Sequence, residues 1–175
     1  MPNKRQPKPP VRDDIPGTLL ADAVNQGILT EMVSDPRIGM SELGRRVGLS
    51  APAVTERVQR LERSGVIAGY RLELDPAALG FPVCAYVRIR PGPGQLQRIA
   101  ELAATIPEVT ECYRITGEDC FIMRVYASAL DQFEVVLDKF LMHGQTTSSI
   151  VQSTAVPPRP LPLPAVPAAR RWGVR

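Results

Sequence analysis

Residues 40–70, MSELGRRVGLSAPAVTERVQRLERSGVIAGY, predict two short helices joined by a tight turn. Ser41 and Ser50 are good N-cap residues, and Gly48 tolerates the left-handed conformation that often ends a helix. Pro52 falls in the first turn of the second helix, where a missing N–H costs no hydrogen bond. This pattern is typical of a helix-turn-helix, whose second helix enters the major groove of DNA.

The outer face of the second helix carries the candidate DNA contacts. At about 100° per residue, Val54, Val58 and Leu61 face inward and the other positions face outward. Small side chains near the start of the helix permit close approach to base edges, and long polar ones reach bases or phosphates. The predicted DNA-binding residues are Ser50, Pro52, Ala53, Thr55, Glu56, Arg57, Gln59, Arg60 and Arg63. The alternative is a solvated face of a small helical bundle.

The flanking segments complete the first predicted domain. An amphipathic pattern over residues 16–33 predicts one further helix, which covers the other two because a helical hairpin buries too little surface alone. Gly65 is predicted to end the second helix, and residues 66–74 have an extended pattern. We therefore predict a winged helix-turn-helix domain over residues 15–70, followed by a linker strand over residues 71–80.

A different pattern occupies residues 81–156. Strand-like alternation and helical spacing follow each other in the order β-α-β-β-α-β, and Gly144 is predicted to close the second helix. Residues 116–119, Thr-Gly-Glu-Asp, suit a hairpin between the two central strands. This order predicts a ferredoxin-like domain, with an antiparallel sheet and both helices on one face. The fold class is therefore α+β, and the uncovered face of the sheet favours a homodimer.

The ends of the chain differ in composition from its middle. Residues 1–14 form a predicted disordered basic arm, and residues 157–175 form a Pro-rich tail. Prolines exclude helix and sheet, so we expect a flexible or polyproline-like tail, with a specific docking peptide as the alternative. Residues 81–154 contain six basic and eight acidic residues, so a basic domain precedes an acidic one although the net charge is only +3.

The sequence offers no catalytic, cofactor or metal motif. Cys84, Cys112 and Cys120 lack CxxC spacing, and His143 is the only histidine, so we expect no metal site. Nucleophile motifs, a P-loop and a dinucleotide-binding glycine pattern are missing from the sequence, and the predicted protein is not an enzyme. Ferredoxin-like domains host many chemistries, however, and leave an enzyme as a further alternative. The sequence has no signal-peptide pattern and no apolar run of membrane-spanning length, and we expect a cytoplasmic protein without membrane contact.

Residues 40–70 resemble the DNA-binding domain of the Lrp/AsnC (feast/famine) family of prokaryotic transcription regulators. The matching phrases are Ser41-Glu42-Leu43-Gly44, Val47-Gly48-Leu49-Ser50, Arg57-Val58-Gln59-Arg60-Leu61-Glu62 and Gly65-Val66-Ile67-Ala68-Gly69-Tyr70. Residues 81–156 resemble the family's ligand-sensing RAM domain in element order, in the turn at residues 116–119 and in the segment at residues 144–151. The first helix departs from the pattern at Asn25, where an acidic residue is usual.

The resemblance implies a sequence-specific transcription regulator that binds double-stranded DNA and responds to a small effector. In the family the RAM domain forms dimers and higher assemblies, so a homodimer and a tetramer or octamer are expected. Effectors are usually amino acids, and the implied contacts here are Gly117, Asp119, Thr146 and Thr147. Asp119 would accept the ammonium of the effector; an ordinary hairpin turn is the alternative for Gly-x-Asp. The rival function is an effector-independent, architectural DNA-organising protein, which basic terminal segments suit because they add phosphate contacts.

Overall fold

The computed structural model describes residues 16–165. The predicted basic arm at residues 1–14 and the last part of the tail, residues 166–175, lie outside the described residues. The described residues divide into two compact units, residues 16–72 with 158–165 and residues 73–157. We call them the N-terminal unit and the C-terminal unit.

The described residues of the N-terminal unit form four helices. They are α1 (Pro16–Ala21), α2 (Ala23–Ser34), α3 (Met40–Val47) and α4 (Ala51–Arg63). The prediction of a single helix before residue 34 is wrong, because Asp22 divides it. The Asp22 carboxylate accepts hydrogen bonds from the backbone N–H groups of Val24 and Asn25, and this N-cap starts a new helix.

The turn between α3 and α4 follows the sequence signals closely, except at its first cap. Gly39 is the N-cap of α3, so the prediction of Ser41 in that position is wrong. Gly48 adopts the left-handed conformation with φ +71°, as predicted. Ser50 caps α4 as predicted, since its Oγ accepts a 3.4 Å hydrogen bond from the backbone N–H of Ala53.

Gly44 lets the two helices approach each other. An added Cβ would lie 2.6 Å from the carbonyl oxygen of Leu49, closer than such atoms approach in proteins. The core beneath this turn consists of Ile28, Leu29, Ile38, Leu43, Val54, Val58 and Leu61. The close turn thus brings α3 and α4 together over one apolar cluster.

The segment after α4 forms turns rather than strands. Val66 and Ile67 pack against the core, and the backbone N–H of Ile67 donates to the carbonyl of Leu61 at 3.0 Å. The predicted linker strand over residues 71–80 is wrong, because residues 76–80 form a turn. The Asp75 side chain accepts from the backbone N–H of Ala77 at 2.9 Å, which favours a turn over extended chain.

The C-terminal unit has the predicted β-α-β-β-α-β order. Its elements are β1 (Val83–Pro91), α5 (Leu96–Thr105), β2 (Val109–Arg114), β3 (Phe121–Ala127), α6 (Leu130–Leu141) and β4 (Gly144–Ile150). The strands form an antiparallel sheet in the order β2-β3-β1-β4. Gly144 begins β4 rather than closing α6, because its backbone lies so close to Arg90 that a Cβ would clash with that carbonyl.

Alternation along the strands separates a core face from an outer face. The core face carries Ala85, Val87 and Ile89 of β1, and Phe121, Met123 and Val125 of β3, packed against Ile99 of α5 and Phe140 of α6. Side chains one position along each strand point to the opposite, outer face. The two helices cover only the core face, as the ferredoxin-like prediction requires.

The described part of the tail is extended but not free. Residues 158–165 contain no helix or strand, as the prolines predict. Leu163 nevertheless packs against the core of the N-terminal unit, and the Pro164 carbonyl accepts a hydrogen bond from Gln26. This segment therefore contacts the N-terminal unit, and the flexible tail expected from the sequence stays a prediction.

Candidate DNA-binding and effector sites

The outer face of α4 carries most of the predicted DNA contacts in exposed positions. Exposed residues of the predicted set are Ser50, Pro52, Glu56, Gln59, Arg60 and Arg63, while Ala53 and Thr55 are half-buried. The Thr55 hydroxyl donates to the carbonyl of Ala51 at 2.8 Å. It therefore presents its methyl group and hydroxyl lone pairs, and not a free donor, to a base.

Arg57 is engaged inside the N-terminal unit. Its Nη1 lies 2.7 Å from Asp22 Oδ2 and 2.8 Å from Asn25 Oδ1. The hydrogen bond from Arg57 lowers the pKa of Asp22 below its ordinary value. Asn25 is only 4% exposed, and its Nδ2 donates to the carbonyl of Leu19 at 3.0 Å. Arg57 thus joins α4 to α2, and we remove it from the candidate DNA contacts.

The arginines of α3 are also paired. Arg45 binds both carboxylate oxygens of Glu42, at 2.8 and 2.7 Å, and Arg46 binds Glu42 and Glu31, each at 2.8 Å. Hydrogen bonds from Arg45, and next from Arg46, lower the pKa of Glu42 from 4.5 to about 2. These charges are largely neutralised by neighbours on α3 and α2.

Arg60 and Arg63 differ from the other arginines of the two helices. Both are exposed, and no carboxylate of residues 16–165 forms an ion pair with either guanidinium. Glu62 lies between them in sequence but accepts a 2.8 Å hydrogen bond from the Tyr70 hydroxyl. Burial, and then Glu62, raise the pKa of Tyr70 to about 12, so this donor stays protonated. The unpaired positive charge of α4 is therefore concentrated at Arg60 and Arg63.

Two of the candidate effector residues, Gly117 and Asp119, lie in the turn between β2 and β3. Gly117 is exposed with φ +109°, and the turn is closed by a 2.9 Å hydrogen bond from the backbone N–H of Ile115 to the carbonyl of Cys120. Asp119 Oδ2 lies 3.7 Å from Arg88 Nη1, and Asp119 Oδ1 lies 4.0 Å from Arg90 Nε. Arg90 also forms a close ion pair with Glu118.

The two predicted threonines lie on opposite faces of the sheet. Thr147 is the partner of Arg88 across β1 and β4, and it shares the outer face with that arginine. Thr146 is the partner of Ile89, which faces the core, and it is half-buried. The structure therefore places Thr147 with Arg88 and Asp119, and separates the Thr146 side chain from them.

Arg88 and Arg90 are candidate site residues that sequence reasoning missed. The alternation Tyr86-Val87-Arg88-Ile89-Arg90 contained the signal, since residues two apart in a strand share a face. The sequence did not reveal that the β2–β3 turn, with Glu118 and Asp119, lies next to these arginines. Two arginines beside two acidic residues of a turn make a site that matches the opposite charges of an α-amino acid.

The rest of the outer face is partly apolar and partly charged. Arg124 lies over the Tyr86 ring, 5.5 Å from its centroid, and its Nη1 lies 3.0 Å from Glu111 Oε1. Ile122 shares this face with Tyr86 and Tyr113 through the register of β1, β2 and β3. Aromatic side chains beside arginine are enriched in protein interfaces.

Residues 16–165 carry neither a metal-binding cluster nor a membrane-spanning helix. In this range, no group of three or more His, Cys, Asp or Glu side chains is arranged to hold a metal ion. The helices of the same range are too short or too polar to span a membrane.

Family models match both units. A model described as winged helix-turn-helix DNA-binding matches residues 22–68. A model described as the Lrp/AsnC ligand binding domain matches residues 84–161. The first match contains α2, α3 and α4 with all five of the arginines on α3 and α4, and the second contains the sheet except for Val83, the first residue of β1.

Similar proteins and structures agree with these matches. The transcriptional regulator LrpC of Bacillus subtilis is 36% identical over 132 residues, which are 75% of this chain and 92% of that protein. A proline dehydrogenase transcriptional activator of Rhodobacter capsulatus is 34% identical over 79% of this chain and 94% of its own length. The LrpC structure aligns with a TM-score of 0.72 at 35% identity, over 76% of this chain and 95% of that chain.

A structure with a bound amino acid is also similar. The feast or famine regulatory protein of Mycobacterium tuberculosis complexed with L-methionine aligns with a TM-score of 0.74 at 32% identity, over 82% of this chain and 99% of that chain. The proteins matched over both units are transcriptional regulators rather than enzymes. This chain therefore belongs to the Lrp/AsnC family of DNA-binding transcriptional regulators.

Proposed function

We propose that this regulator reads DNA through the outer face of α4 and responds to an amino acid bound beside the β2–β3 turn. The observation that carries the first part is the contrast among arginines. Arg57 is engaged by Asp22 and Asn25, whereas Arg60 and Arg63 are exposed and have no carboxylate partner among the described residues. Unpaired guanidinium groups on an exposed helix suit phosphates and guanine edges. As a DNA-binding protein, it is expected in the cytoplasm.

The residues proposed to contact DNA are those of the outer face without Arg57. Gln59, Arg60 and Arg63 are long enough to reach base edges or phosphates, while Ser50, Pro52, Ala53, Thr55 and Glu56 line the start of the helix. Glu56 can accept from a cytosine amino group, and the Thr55 methyl group can contact a thymine methyl. This division predicts base contacts near the start of α4 and phosphate contacts near its end.

Replacing Arg60 tests this surface. Arg60→Ala should weaken operator binding by about 1–3 kcal/mol if Arg60 reads a base, and should weaken all duplexes alike if it holds a phosphate. The measurement is a titration of operator and random duplex at several salt concentrations. Arg98→Ala is the matched control, because it removes the same charge from an exposed position of α5. Equal affinities of the Arg60 variant and wild type for both duplexes would remove Arg60 from the interface.

The effector proposal rests on the loose pairing of Arg88 with Asp119. Their nearest charged atoms are 3.7 Å apart, and the Arg88 side chain is 49% exposed. An amino acid can insert here, with its carboxylate on Arg88 and its ammonium on Asp119. Thr147 and the backbone of Gly117 would add hydrogen bonds, whereas Thr146 would contribute only through its backbone. The L-methionine complex of the Mycobacterium relative supports an amino acid as the ligand class.

A panel of amino acids tests this site. At least one should raise the melting temperature of the full chain, because a ligand that binds only the folded state stabilises it. Asp119→Asn should abolish that shift, and Glu118→Gln should retain it, since Glu118 pairs with Arg90 instead. A normal response of the Asp119 variant would move the site elsewhere.

The rival function is an architectural DNA-organising protein without an effector. The observation in its favour is that Asp119 already has Arg88 and Arg90 nearby, so its charge is partly neutralised without a ligand. If no amino acid shifts the wild-type protein, this alternative is favoured. The Arg60 experiment is unaffected by that outcome, because both functions require DNA contact.

We also propose that the chain forms a homodimer, and assemblies of dimers such as a tetramer or octamer. Neither α5 nor α6 covers the outer face of the sheet, which presents Tyr86, Ile122 and Tyr113. A second copy would cover this face, and Tyr86→Asp should then reduce the assembly measured by analytical ultracentrifugation. A wild-type chain that stays monomeric at high micromolar concentration would contradict the proposal.

A further inference from the structure

The described part of the Pro-rich tail makes a specific contact with the N-terminal unit. Leu163 is partly buried against the cluster formed by Ile28, Leu29, Ile38, Leu43, Val54, Val58 and Leu61. Leu161, two residues earlier, is 89% exposed. Leu163 packs against the unit, whereas Leu161 remains exposed to solvent. The contact therefore depends on the position of the leucine and not only on its apolar character.

Gln26 of α2 adds a polar contact to this apolar one. Its Nε2 donates to the carbonyl of Leu20, at 2.6 Å, and to the carbonyl of Pro164, at 2.7 Å. A carboxamide nitrogen has two N–H donors, so one side chain satisfies both carbonyls. Gln26 thus links the end of α1 to the tail.

The composition of the tail favours such docking. Pro158, Pro160, Pro162 and Pro164 alternate through the segment and hold φ near the polyproline value. A chain restricted in this way loses less conformational entropy on binding than an ordinary peptide. Prolines also supply carbonyl acceptors without donors that would need partners, which suits a contact with an amide N–H.

We infer that residues 158–165 form an internal strap, which docks on the N-terminal unit of the same chain through Leu163 and Pro164 and stabilises α1 and α2. The strap's hydrogen bond goes to α2, and no described tail residue hydrogen-bonds to the outer face of α4. It therefore leaves the proposed DNA surface open. The strap is held to the N-terminal unit by non-covalent contacts alone, the apolar packing of Leu163 and the hydrogen bond to Pro164.

Leucine substitutions in the full-length chain test the strap. Leu163→Asp should speed hydrogen exchange of the α1 and α2 amides by about fivefold, the effect expected from losing the burial of part of a leucine side chain. Leu161→Asp introduces the same charge two residues away and should leave exchange unchanged. Equal exchange in both variants and wild type would overturn the inference.

A double-mutant cycle gives an independent test. Gln26→Glu keeps the side-chain size but faces both carbonyls with a carboxylate, so it should also speed exchange in α1 and α2. If Gln26 and the tail act together, the effects of Gln26→Glu and Leu163→Asp should be less than additive when combined. Full additivity would overturn the link between them. Protection that disappears on dilution would overturn docking within the same chain.

Discussion

The two units of this protein use arginine differently. In the C-terminal unit, Arg88, Arg90 and Arg124 on the outer face of the sheet each lie near a carboxylate. Arg114 lies over the ring of Phe121, 5.7 Å from its centroid. In the N-terminal unit the α3 arginines and Arg57 are paired too, but Arg60 and Arg63 are exposed and have no carboxylate partner among the described residues.

This difference shows why a charge count is a weak guide to a binding surface. Residues 41–65 contain five arginines and three glutamates, a net charge of +2. That number does not say which arginines remain free, because Arg46 pairs with Glu31 of α2 and Arg57 pairs with Asp22, the N-cap of α2, and both acids lie outside those residues. A polyanion is attracted to the free charges, and the structure reduces five candidates to two.

The largest expected effect is a loss of stability in one apolar core that leaves the other core unchanged. Phe140 is fully buried in the C-terminal unit, so Phe140→Ala should reduce the free energy of unfolding of that unit by about 3–5 kcal/mol. Hydrogen exchange in α3 and α4 should stay as in wild type, because Phe140 belongs to a different apolar cluster. The exposed Leu130 on the same helix provides the control, Leu130→Ala. Faster exchange throughout both units would show that they unfold together.

The next effect concerns the turn that holds α4 in place. Gly44→Ala should cost about 1–3 kcal/mol of stability in the N-terminal unit, because the new Cβ would lie 2.6 Å from the Leu49 carbonyl oxygen. Since this turn positions α4, operator affinity should fall as well. Gly27→Ala is the matched control, as an added Cβ there meets only the Val47 side chain, at an ordinary contact distance of 3.6 Å. Similar melting temperatures for the two variants would contradict this account of the turn.

A smaller effect distinguishes a structural arginine from a free one. Arg57→Ala should lower stability by about 1–2 kcal/mol, because it leaves the oxygen of buried Asn25 without its donor. The ion pair with Asp22 adds little, since both side chains are more than a third exposed. Arg45→Ala removes an arginine that is 74% exposed and should change stability little. Thermal unfolding of both variants checks the difference; equal losses would remove the special role of Arg57.

The smallest expected effect is a pH dependence in the N-terminal unit. The pKa of Glu42 is lowered from 4.5 to about 2, so its ionised form is favoured by folding. This stabilisation is present above pH 4.5 and is lost as the pH falls towards about 2. Glu42→Gln should therefore flatten the fall of the melting temperature in this range. An unchanged pH profile in the variant would show that the Arg45 and Arg46 contacts contribute nothing measurable.

Much of the fold was predictable because its signals are local. Ser50 caps α4 through a residue three positions away, and Gly48 ends α3 through its own backbone conformation. Strand alternation predicted the core face of β1 and β3, because the side-chain period of a strand is fixed. The error at Asp22 has a different cause. Its N-cap contacts with the N–H groups of Val24 and Asn25 are local too, but the apolar pattern continues across Asp22 and suggested one unbroken helix.

The site was only partly predictable, because its key contacts join distant residues. By itself the sequence determined the α4 face, the β-α-β-β-α-β order and the resemblance to the Lrp/AsnC family. Tertiary structure alone decided that Arg57 binds Asp22, 35 residues away, and that Gln26 binds Pro164, 138 residues away. It also placed Arg88 beside Asp119 and made Thr147 the partner of Arg88 across β1 and β4. The periodicity of a helix or strand predicts which face a side chain occupies, because it depends on neighbouring residues. Which distant residues lie against that face depends on the tertiary structure.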